Sequence, residues 1–326
     1  MLHPLRFKIL ALAAFLLALA GFGHVLYQSI YGWNLDRWAR NQAQQTARNT
    51  YLMCRTAQAA IHRSLQAPLS EVRAQLHRAA PQALQGLEMA AGAAGEGEAL
   101  RPDQALGALL ESLRSKTGHP AAVYRRIEET GELVRIGGGE EKTPGGEYPG
   151  QVLPGSDPAA LRLGAQELVL FPGRAEGRWV MVALLPLRRP GGQGVAGALQ
   201  VVLTSPELEQ LVRRIMATLI GRDGYVFVLG GKGEQRGRYL LSKDGLRDGE
   251  DIWDSLDATG RPFIQAIVVQ ALALAETSGG EELPVVFERY PWQNPGEKSA
   301  RHKTVAIAYF EPWDWVIGAG YYEDEF

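Results

Sequence analysis

The sequence contains almost no cysteine. Cys54 is the single cysteine among 326 residues, which excludes an internal disulfide and a multi-cysteine metal site. It falls within a helical stripe of small residues, where a buried thiol packs like a small apolar side chain. We therefore interpret Cys54 as a packing residue rather than a nucleophile.

The chain also lacks an excess of charge of either sign. Its 34 Lys and Arg nearly balance 36 Asp and Glu, giving a formal net charge of −2. Proteins that bind nucleic acid usually carry a basic patch or strip, and neither that pattern nor zinc-finger spacing is found. No nucleic-acid partner is predicted. The hydrophobic fraction of 46% is ordinary for a globular protein, and the length suffices for two domains.

Short catalytic and metal-binding motifs are missing as well. The six histidines form no H-x-x-x-H pair, and no G-x-S-x-G motif occurs. The glycine-rich segment 230–237 precedes a strand-like run rather than the helix that a phosphate loop needs, which favours a turn. The acidic segment 244–254 lacks calcium-loop spacing; we interpret it as a solvated loop that directs one carboxylate at a pocket. No catalytic residue, metal or cofactor is predicted.

One long apolar run stands at the N-terminus. Residues 9–33 contain no Asp, Glu, Lys or Arg and follow two basic residues. About 20 apolar residues span a bilayer, and basic residues before the span mark its cytoplasmic side. We expect residues 1–33 to form a cytoplasmic N-terminus and an inner-membrane anchor, with the remaining chain extracytoplasmic. The alternative is a signal peptide cleaved after Ala18-Leu19-Ala20.

A long stalk helix is predicted over residues 34–80. Small or apolar residues recur every three or four positions on one face, at Ala39, Ala43, Ala47, Thr50, Cys54, Ala57, Ile61 and Leu65. Pro68 should kink or break this helix. The seam is buried either by its own chain or by a partner copy, and we expect a homodimer through the stalk helix.

A helix-plus-sheet pattern then occurs twice. Residues 81–204 contain a short helix and five strand-like runs between Gly- and Pro-rich turns, at 101–118, 121–127, 132–138, 161–171, 177–187 and 194–203. In residues 205–326, Ser205-Pro206 opens a helix, and strands surround one further helix. This order favours an α+β fold with two tandem antiparallel sheets over an alternating βαβ fold.

The C-terminal residues are predicted to form a hairpin. Two strand-like runs flank a turn at 311–314. Gly318 and Gly320 leave one face of the last strand without side chains, which allows close packing. We interpret Trp313 and Trp315 as structural.

Several separated motifs within residues 215–326 resemble one family of sensors. They read GRDGYVFVLGG, GRYLLSKDG, GEDIWDSLDATGRPFIQAI, RYPWQNPGE and RHKTVAIAYFEPWDWVIGAGYYEDEF. The sequence is similar to the Cache 3/Cache 2 fusion of bacterial methyl-accepting chemotaxis proteins, which are extracytoplasmic sensors at the membrane. The first half resembles that family in layout: an anchor, a long helix and an antiparallel sheet.

This resemblance implies two PAS-like (Cache) modules stacked on one long N-terminal helix, with a small-molecule ligand. The aromatic and cationic residues of the last domain suit a small carboxylate or an amine-bearing, amino-acid-like ligand. Matched by position, the candidates in the membrane-proximal module, 205–326, are Tyr239, Ser242, Lys243, Trp253, Arg289, Tyr290, Trp292, Lys303 and Tyr309. In the membrane-distal module, 81–204, they are Tyr124, Arg126 and Trp179.

The predicted function is extracytoplasmic sensing of a small molecule, in which ligand binding shifts the C-terminal hairpin relative to the stalk helix. Receptors of this family continue into a second membrane helix, a HAMP linker and a coiled coil. We expect either the sensor part of a truncated receptor or a free-standing anchored sensor. Two alternatives are an anchored or secreted metabolite-binding protein that acts through a partner, and a hydrolase with a nucleophile-base pair in one cleft. An enzyme is the less favoured class.

Overall fold

The computed structural model describes residues 3–75, 104–138, 152–166, 168–175, 177–189, 194–277, 283–294 and 296–326. Among these residues, no helix is both long enough and apolar enough to cross a membrane. The anchor predicted at residues 1–33 falls on positions most of whose side chains lie outside the described set, so it stays a prediction.

The helices follow the predicted order. They are α1 (His3–Ser64), α2 (Gln104–Thr117), α3 (Pro158–Leu163), α4 (Pro206–Met216) and α5 (Phe263–Ala273). Residues 66–75 are also helical, after a turn at Leu65. α1 thus ends four residues before Pro68, which has no N–H to donate to the carbonyl of Ser64. The predicted break is confirmed.

The first sheet has the strand order β3-β2-β1-β6-β5-β4, and all its pairs are antiparallel. Its strands are β1 (Ala121–Arg126), β2 (Leu133–Gly138), β3 (Val152–Leu153), β4 (Val169–Ala175), β5 (Arg178–Arg188) and β6 (Val195–Thr204). The strand predicted at 161–171 is wrong in its first part, which lies in α3. Asp157 caps that helix by accepting the N–H of Ala159, and Pro158 takes the first helical position.

The second sheet has the order β10-β11-β12-β8-β7, with β9 paired to β8. Its strands are β7 (Leu219–Ile220), β8 (Gly224–Gly230), β9 (Tyr239–Leu241), β10 (Val286–Trp292), β11 (Arg301–Phe310) and β12 (Trp315–Tyr322). β11 and β12 pair antiparallel, and the tight turn between them places Asp314 at a left-handed φ of 56°. The predicted hairpin is confirmed, as is the α+β fold with a long N-terminal helix and two antiparallel sheets.

α1 packs along the second sheet through its seam, against β11 and β12. The seam positions that are completely buried are Ala39, Ala43, Ala47, Thr50, Cys54 and Ile61. The apolar seam residues share one hydrophobic core with inward-facing residues of β5, β6, β11 and β12. Small side chains allow the helix to approach β11 and β12 closely. Of the two predicted alternatives for this seam, burial within its own chain is the one observed.

α4 lies where the two sheets meet. Ser205 caps it by accepting the N–H of Leu208, and Pro206 stands in the first turn, as predicted. Leu211 and Ile215 point into the core that α1 shares with both sheets. α4 therefore contacts α1, β5 of the first sheet and β8 of the second.

Each sheet has another hydrophobic core on the face turned away from α1, which we call its far face. In the first sheet this core includes buried residues of α3. In the second sheet it includes buried residues of α5 and aromatic side chains of β8, β9, β10, β11 and β12. Alternate residues of each strand therefore serve two different cores.

We predict that Ala47→Leu lowers the free energy of unfolding by about 1–3 kcal/mol, because the larger side chain overpacks a completely buried position. Urea denaturation of the full chain measures this change. Ala59→Leu is the matched control, since Ala59 is an exposed residue of the same helix. Equal stability of the two variants would contradict the tight packing of the seam.

Candidate ligand-binding site

The far face of the second sheet holds a buried lysine among aromatic rings. Lys303 on β11 is 1% exposed. Its Nζ lies 3.5 Å from the ring centroid of Tyr225, 5.3 Å from that of Tyr322 and 5.5 Å from that of Phe227. The negative face of an aromatic ring attracts a cation at such distances. We call these four residues the lysine cluster.

Two glycines of β12 leave room for the lysine cluster. A Cβ on Gly320 would lie 2.5 Å from Cε of Lys303, and a Cβ on Gly318 would lie 2.2 Å from Cζ of Phe227. Those separations are shorter than van der Waals contact, so a side chain at either position would displace the lysine or the ring. The predicted close packing at the two glycines is confirmed, but the face is not without side chains, because Val316 and Tyr322 lie on it as well.

Lys303 has no carboxylate in contact with it within the described part of the chain. Its ammonium there forms no salt bridge and no hydrogen bond. Burial lowers the pKa of Lys303 well below its ordinary value, the nearby Lys243 lowers it further, and Glu297 partly opposes them. Nζ of Lys243 is 5.5 Å from the same Tyr225 ring. A carboxylate bound beside these ammonium groups would supply the missing negative charge.

More aromatic residues line the far face beside the lysine cluster. Phe263 of α5 packs on Tyr290, with centroids 4.2 Å apart, and on Trp292 at 5.3 Å. Tyr239 of β9 meets Phe227 edge to face at 6.2 Å. The predicted candidates Tyr239, Tyr290 and Trp292 therefore belong to the same core as the lysine cluster.

Two polar residues that the sequence analysis did not single out complete this region. The guanidinium carbon of Arg247 lies 5.4 Å from the Tyr239 ring and 5.5 Å from the Trp292 ring. Asn294 follows β10, and its Oδ1 accepts the hydroxyl of Tyr225 (3.2 Å) and Nε1–H of Trp292 (3.0 Å).

Asn294 also donates through Nδ2 to the hydroxyl of Tyr322. Burial raises the pKa of Tyr322 to about 12, so its hydroxyl stays protonated at neutral pH. One amide therefore links three aromatic side chains of the site. Its position two residues after the RYPW run was the signal available in the sequence.

Tyr309 lies at the other end of the β11–β12 hairpin, six residues from Lys303 and so about 20 Å along the strand. Its hydroxyl donates to Oδ1 of Asp314 (2.7 Å), whose Oδ2 accepts backbone N–H groups of Gly231 (3.1 Å) and Lys232 (2.7 Å). Burial raises the pKa of Asp314, and these three donors oppose that rise. The carboxylate joins the turn to the loop after β8.

Three other candidates of the second sheet have local roles. The Ser242 hydroxyl donates to Asp248 at 2.8 Å. Trp253 is half-buried, with the Arg236 guanidinium 4.1 Å from its ring. Arg289 is exposed and forms two 2.7 Å hydrogen bonds with Glu323. Because side chains alternate along β10, Arg289 faces away from the side that carries the lysine cluster.

The structure does not bring the three candidates of the first sheet together. Tyr124 is buried on the far face, where its hydroxyl accepts Nε–H and an Nη–H of Arg135 at 3.2 Å. Arg126 is half-buried, two positions farther along β1. Trp179 packs with the core on the α1 side and meets Trp315 edge to face at 5.9 Å. The assignment of all twelve candidates to ligand binding stays a prediction.

Cys54 occupies a position that suits packing. It is completely buried in the core around α1, and burial raises the pKa of its thiol. Nucleophilic cysteines need the opposite shift, because the thiolate is the reactive species.

Comparison with known proteins places the chain in a family. The Cache 3/Cache 2 fusion domain matches residues 32–326. A sensor histidine kinase, MctS of Rhizobium johnstonii, is 27% identical over 118 residues. That match covers 36% of this chain and 23% of the kinase, so the chain spans less than a quarter of the relative's length.

Two solved structures are weakly similar to the chain. The ligand-binding domain of the Campylobacter jejuni chemoreceptor Tlp3, solved with L-valine, has 14% identity and a TM-score of 0.34, covering 88% of this chain and 96% of that one. A Cache chemosensory domain studied for carboxylic acid recognition has 22% identity and a TM-score of 0.29, covering 36% and 71%. What those domains bind is a property of those proteins.

We predict that Lys303→Met stabilises the ligand-free protein by about 1–3 kcal/mol near neutral pH, because it removes an unpaired buried polar group while keeping its length. In the unfolded chain Lys303 is protonated at pH values below its ordinary pKa of 10.5. In the folded chain its pKa is lowered, so it becomes protonated only at a lower pH. The free energy of unfolding of the wild type relative to Lys303→Met should therefore fall as pH falls from 10.5 toward the lowered pKa.

Urea denaturation of both proteins across this pH range measures the difference. Lys298→Met is the control, because Lys298 is exposed and its substitution should change neither stability nor pH dependence. A Lys303→Met protein that is less stable than the wild type near neutral pH would contradict the unpaired state of the ammonium.

Proposed function

The chain belongs to the Cache 3/Cache 2 fusion domain family, and on that premise we propose that it is the extracytoplasmic sensing region of a signal-transduction receptor. The observation that carries the proposal is Lys303, a buried lysine in an aromatic cluster that contacts no carboxylate among the described residues. An unpaired buried amine lowers the stability of the ligand-free protein. A bound anion that neutralises it would explain why a lysine stands at this position. Binding, rather than catalysis, is the role of this site.

The ligand we propose is a small carboxylate that binds the ammonium of Lys303 in the second module. Lys243 adds a second positive charge on the same tyrosine ring. The aromatic rings of Tyr239, Tyr290 and Trp292 would pack against the rest of the molecule. The relative MctS, a sensor histidine kinase by name, is consistent with a sensing role but does not identify a ligand.

An amino acid is the second ligand class, and the geometry favours it less. Its ammonium group would need an acceptor. The buried carboxylate of Asp314 already accepts three hydrogen bonds, and Oδ1 of Asn294 already accepts two. Two lysines beside the site would also repel a second cation. A carboxylate without an amine therefore matches these groups better.

The proposed organisation has four parts: an anchor at 1–33 in the inner membrane, a stalk at 34–80, a membrane-distal module at 81–204 and a membrane-proximal module at 205–326. The two sheets support the last division, because α4 begins directly after β6 and contacts both sheets. In this arrangement both modules are extracytoplasmic, and the second lies next to the membrane.

The signal would pass through β12, because neighbouring residues of this strand face the site and α1. Tyr322 belongs to the lysine cluster. Tyr321 donates its hydroxyl to Asp36 of α1 at 3.2 Å, and its ring meets that of Phe326 at 5.7 Å. Phe326 in turn lies 5.6 Å from the Trp38 ring of α1. If β12 can take two placements relative to α1, a ligand that binds more tightly to one of them would shift the hairpin toward that placement.

Within the receptor class, we propose a methyl-accepting chemotaxis protein, on the motifs in residues 215–326. A sensor histidine kinase is the other outcome, since MctS is one by name. Reading the coding sequence downstream of Phe326 distinguishes them: a methyl-accepting coiled coil supports the first, and a kinase domain supports the second.

We predict that a short carboxylate raises the thermal midpoint of the full chain. At a concentration of 100 times Kd the expected stabilisation is about 2.7 kcal/mol, which corresponds to several degrees. A thermal-shift screen with acetate, propionate, succinate, amino acids and purines measures it. Lys303→Met should abolish the shift, whereas Lys298→Met should retain it. Stabilisation by amines or purines alone, or an undiminished carboxylate shift in Lys303→Met, would contradict this site.

We also propose that two copies associate through α1. Trp38 is 53% exposed and Leu52 is 44% exposed on this helix. They are fourteen positions apart, so their side chains point in directions that differ by about 40° around the axis of an α-helix. Exposed large apolar residues on one helical face favour association with another helix.

We predict that Leu52→Arg converts a dimer of the full chain to a monomer, because it places charge at the centre of the proposed contact. Light scattering after size-exclusion chromatography measures the mass. Leu161→Arg is the control, since Leu161 is 61% exposed but lies on α3. A wild-type monomer, or a dimer that tolerates Leu52→Arg, would contradict the proposal.

A further inference from the structure

The segment 242–250 covers one side of the aromatic region of the second module. We call it the 242–250 loop. Arg247 extends over Tyr239 and Trp292, and Glu250 holds its guanidinium through two hydrogen bonds of 2.6 Å. The backbone N–H of Arg247 donates to Oγ of Ser242 at 2.9 Å. The position of Arg247 therefore depends on the conformation of this loop.

Asp248 links the inside of the loop to the other module. Its Oδ1 accepts the backbone N–H of Ser242 at 2.7 Å and the Ser242 hydroxyl at 2.8 Å. Its Oδ2 accepts an Nη–H of Arg174 at 2.5 Å. One carboxylate thus closes the 242–250 loop with one oxygen and attaches it to β4 of the first sheet with the other.

Arg174 is itself held in place by the first module. Its guanidinium carbon lies 4.2 Å from the ring centroid of Trp179, its partner across β4 and β5. Its other Nη donates to the carbonyl of Gly177 at 3.2 Å. Trp179 packs edge to face against Trp315, the first residue of β12. A guanidinium that is stacked and bonded in this way loses little further freedom when it binds Asp248.

We propose that Arg174 is a positioning residue for the ligand site of the second module: through Asp248 it holds the 242–250 loop, and with it Arg247, over the aromatic rings. The effect on ligand binding rests on the proposed function, whereas the effect on the loop does not. Occupancy of the site and the position of the β4–β5 hairpin are then thermodynamically linked, and the linkage acts in both directions.

The ion pair between Arg174 and Asp248 is weak enough to open and close. The side chains of Arg174 and Asp248 are 34% and 19% exposed, so water and salt reach the pair. Partly exposed pairs of this kind contribute modestly to stability. Breaking it leaves Asp248 held only by Ser242, so the hydrogen bonds that close the 242–250 loop open more often while the rest of the chain stays folded.

The test is hydrogen exchange of the full chain, read at the amides of Ser242 and Arg247, which donate within the loop. Arg174→Gln should accelerate their exchange about 1.5-fold to fivefold, the range expected for loss of a partly exposed charged pair. Arg189→Gln is the control, because it removes an equally short ion pair, with Glu128, that does not involve the loop. Unchanged exchange in Arg174→Gln, or equal acceleration in both variants, would overturn the proposal.

Two further variants separate this role from general destabilisation. Asp248→Asn keeps an acceptor for Ser242 but removes the charge that binds Arg174. Combined with Arg174→Gln, it should accelerate exchange no more than either single variant, because both remove the same contact. Arg174→Lys keeps the charge and should recover part of the protection. Additive effects of the two substitutions would count against a direct link.

An acetate titration of the same variants distinguishes the two proposals. If the wild type binds acetate through Lys303, Arg174→Gln should weaken binding by a factor similar to the change in exchange. If acetate does not bind but exchange in the loop still accelerates, the positioning of the loop stands and the carboxylate proposal fails. If acetate binds and Arg174→Gln changes neither quantity, the carboxylate proposal stands and the positioning role fails.

Discussion

The second sheet packs on α1 through one row of small, completely buried side chains, and the other features of the molecule depend on this packing. It commits one face of that sheet to the helix, so alternate strand residues must face the opposite side. On β12 this alternation separates two adjacent tyrosines. Tyr321 reaches Asp36 of α1, and Tyr322 lies beside Lys303. The proposed ligand site and the contact with α1 are therefore one residue apart along the strand.

The lysine on the far face is unfavourable for stability. Its ammonium is buried beside three aromatic rings, and burial together with a second lysine lowers its pKa. A buried cation without a partner is expected mainly where function requires it. The same face contains Asp314, whose carboxylate is fully supplied with donors and needs no ligand. This contrast between the two buried groups is the reason that we propose the Lys303 end of the hairpin as the binding end.

Local patterns in the sequence predicted much of the fold, but only part of the site. Periodicity was enough for the α1 seam and the C-terminal hairpin, since both depend on neighbours close in sequence. The first part of the strand predicted at 161–171 is wrong because a short capping signal, Asp157-Pro158, outweighed strand propensity. Arg289 and Tyr290 are adjacent candidates on opposite faces of the sheet. The pairing of β10 with β11 decides which of the two faces the lysine cluster. Contacts such as Tyr225 to Asn294 join residues 69 positions apart, which no local pattern reveals.

The two glycines of β12 also limit how the proposed site can diversify. Gly318 and Gly320 stand against Phe227 and Lys303 at distances that exclude any side chain. Substitutions at these two glycines therefore cannot reshape the proposed binding region without moving the phenylalanine or the lysine. New ligand preferences, whether they arise in evolution or by engineering, are expected instead from the side chains around them: Tyr322, β9, β10, α5 and the loop that carries Arg247.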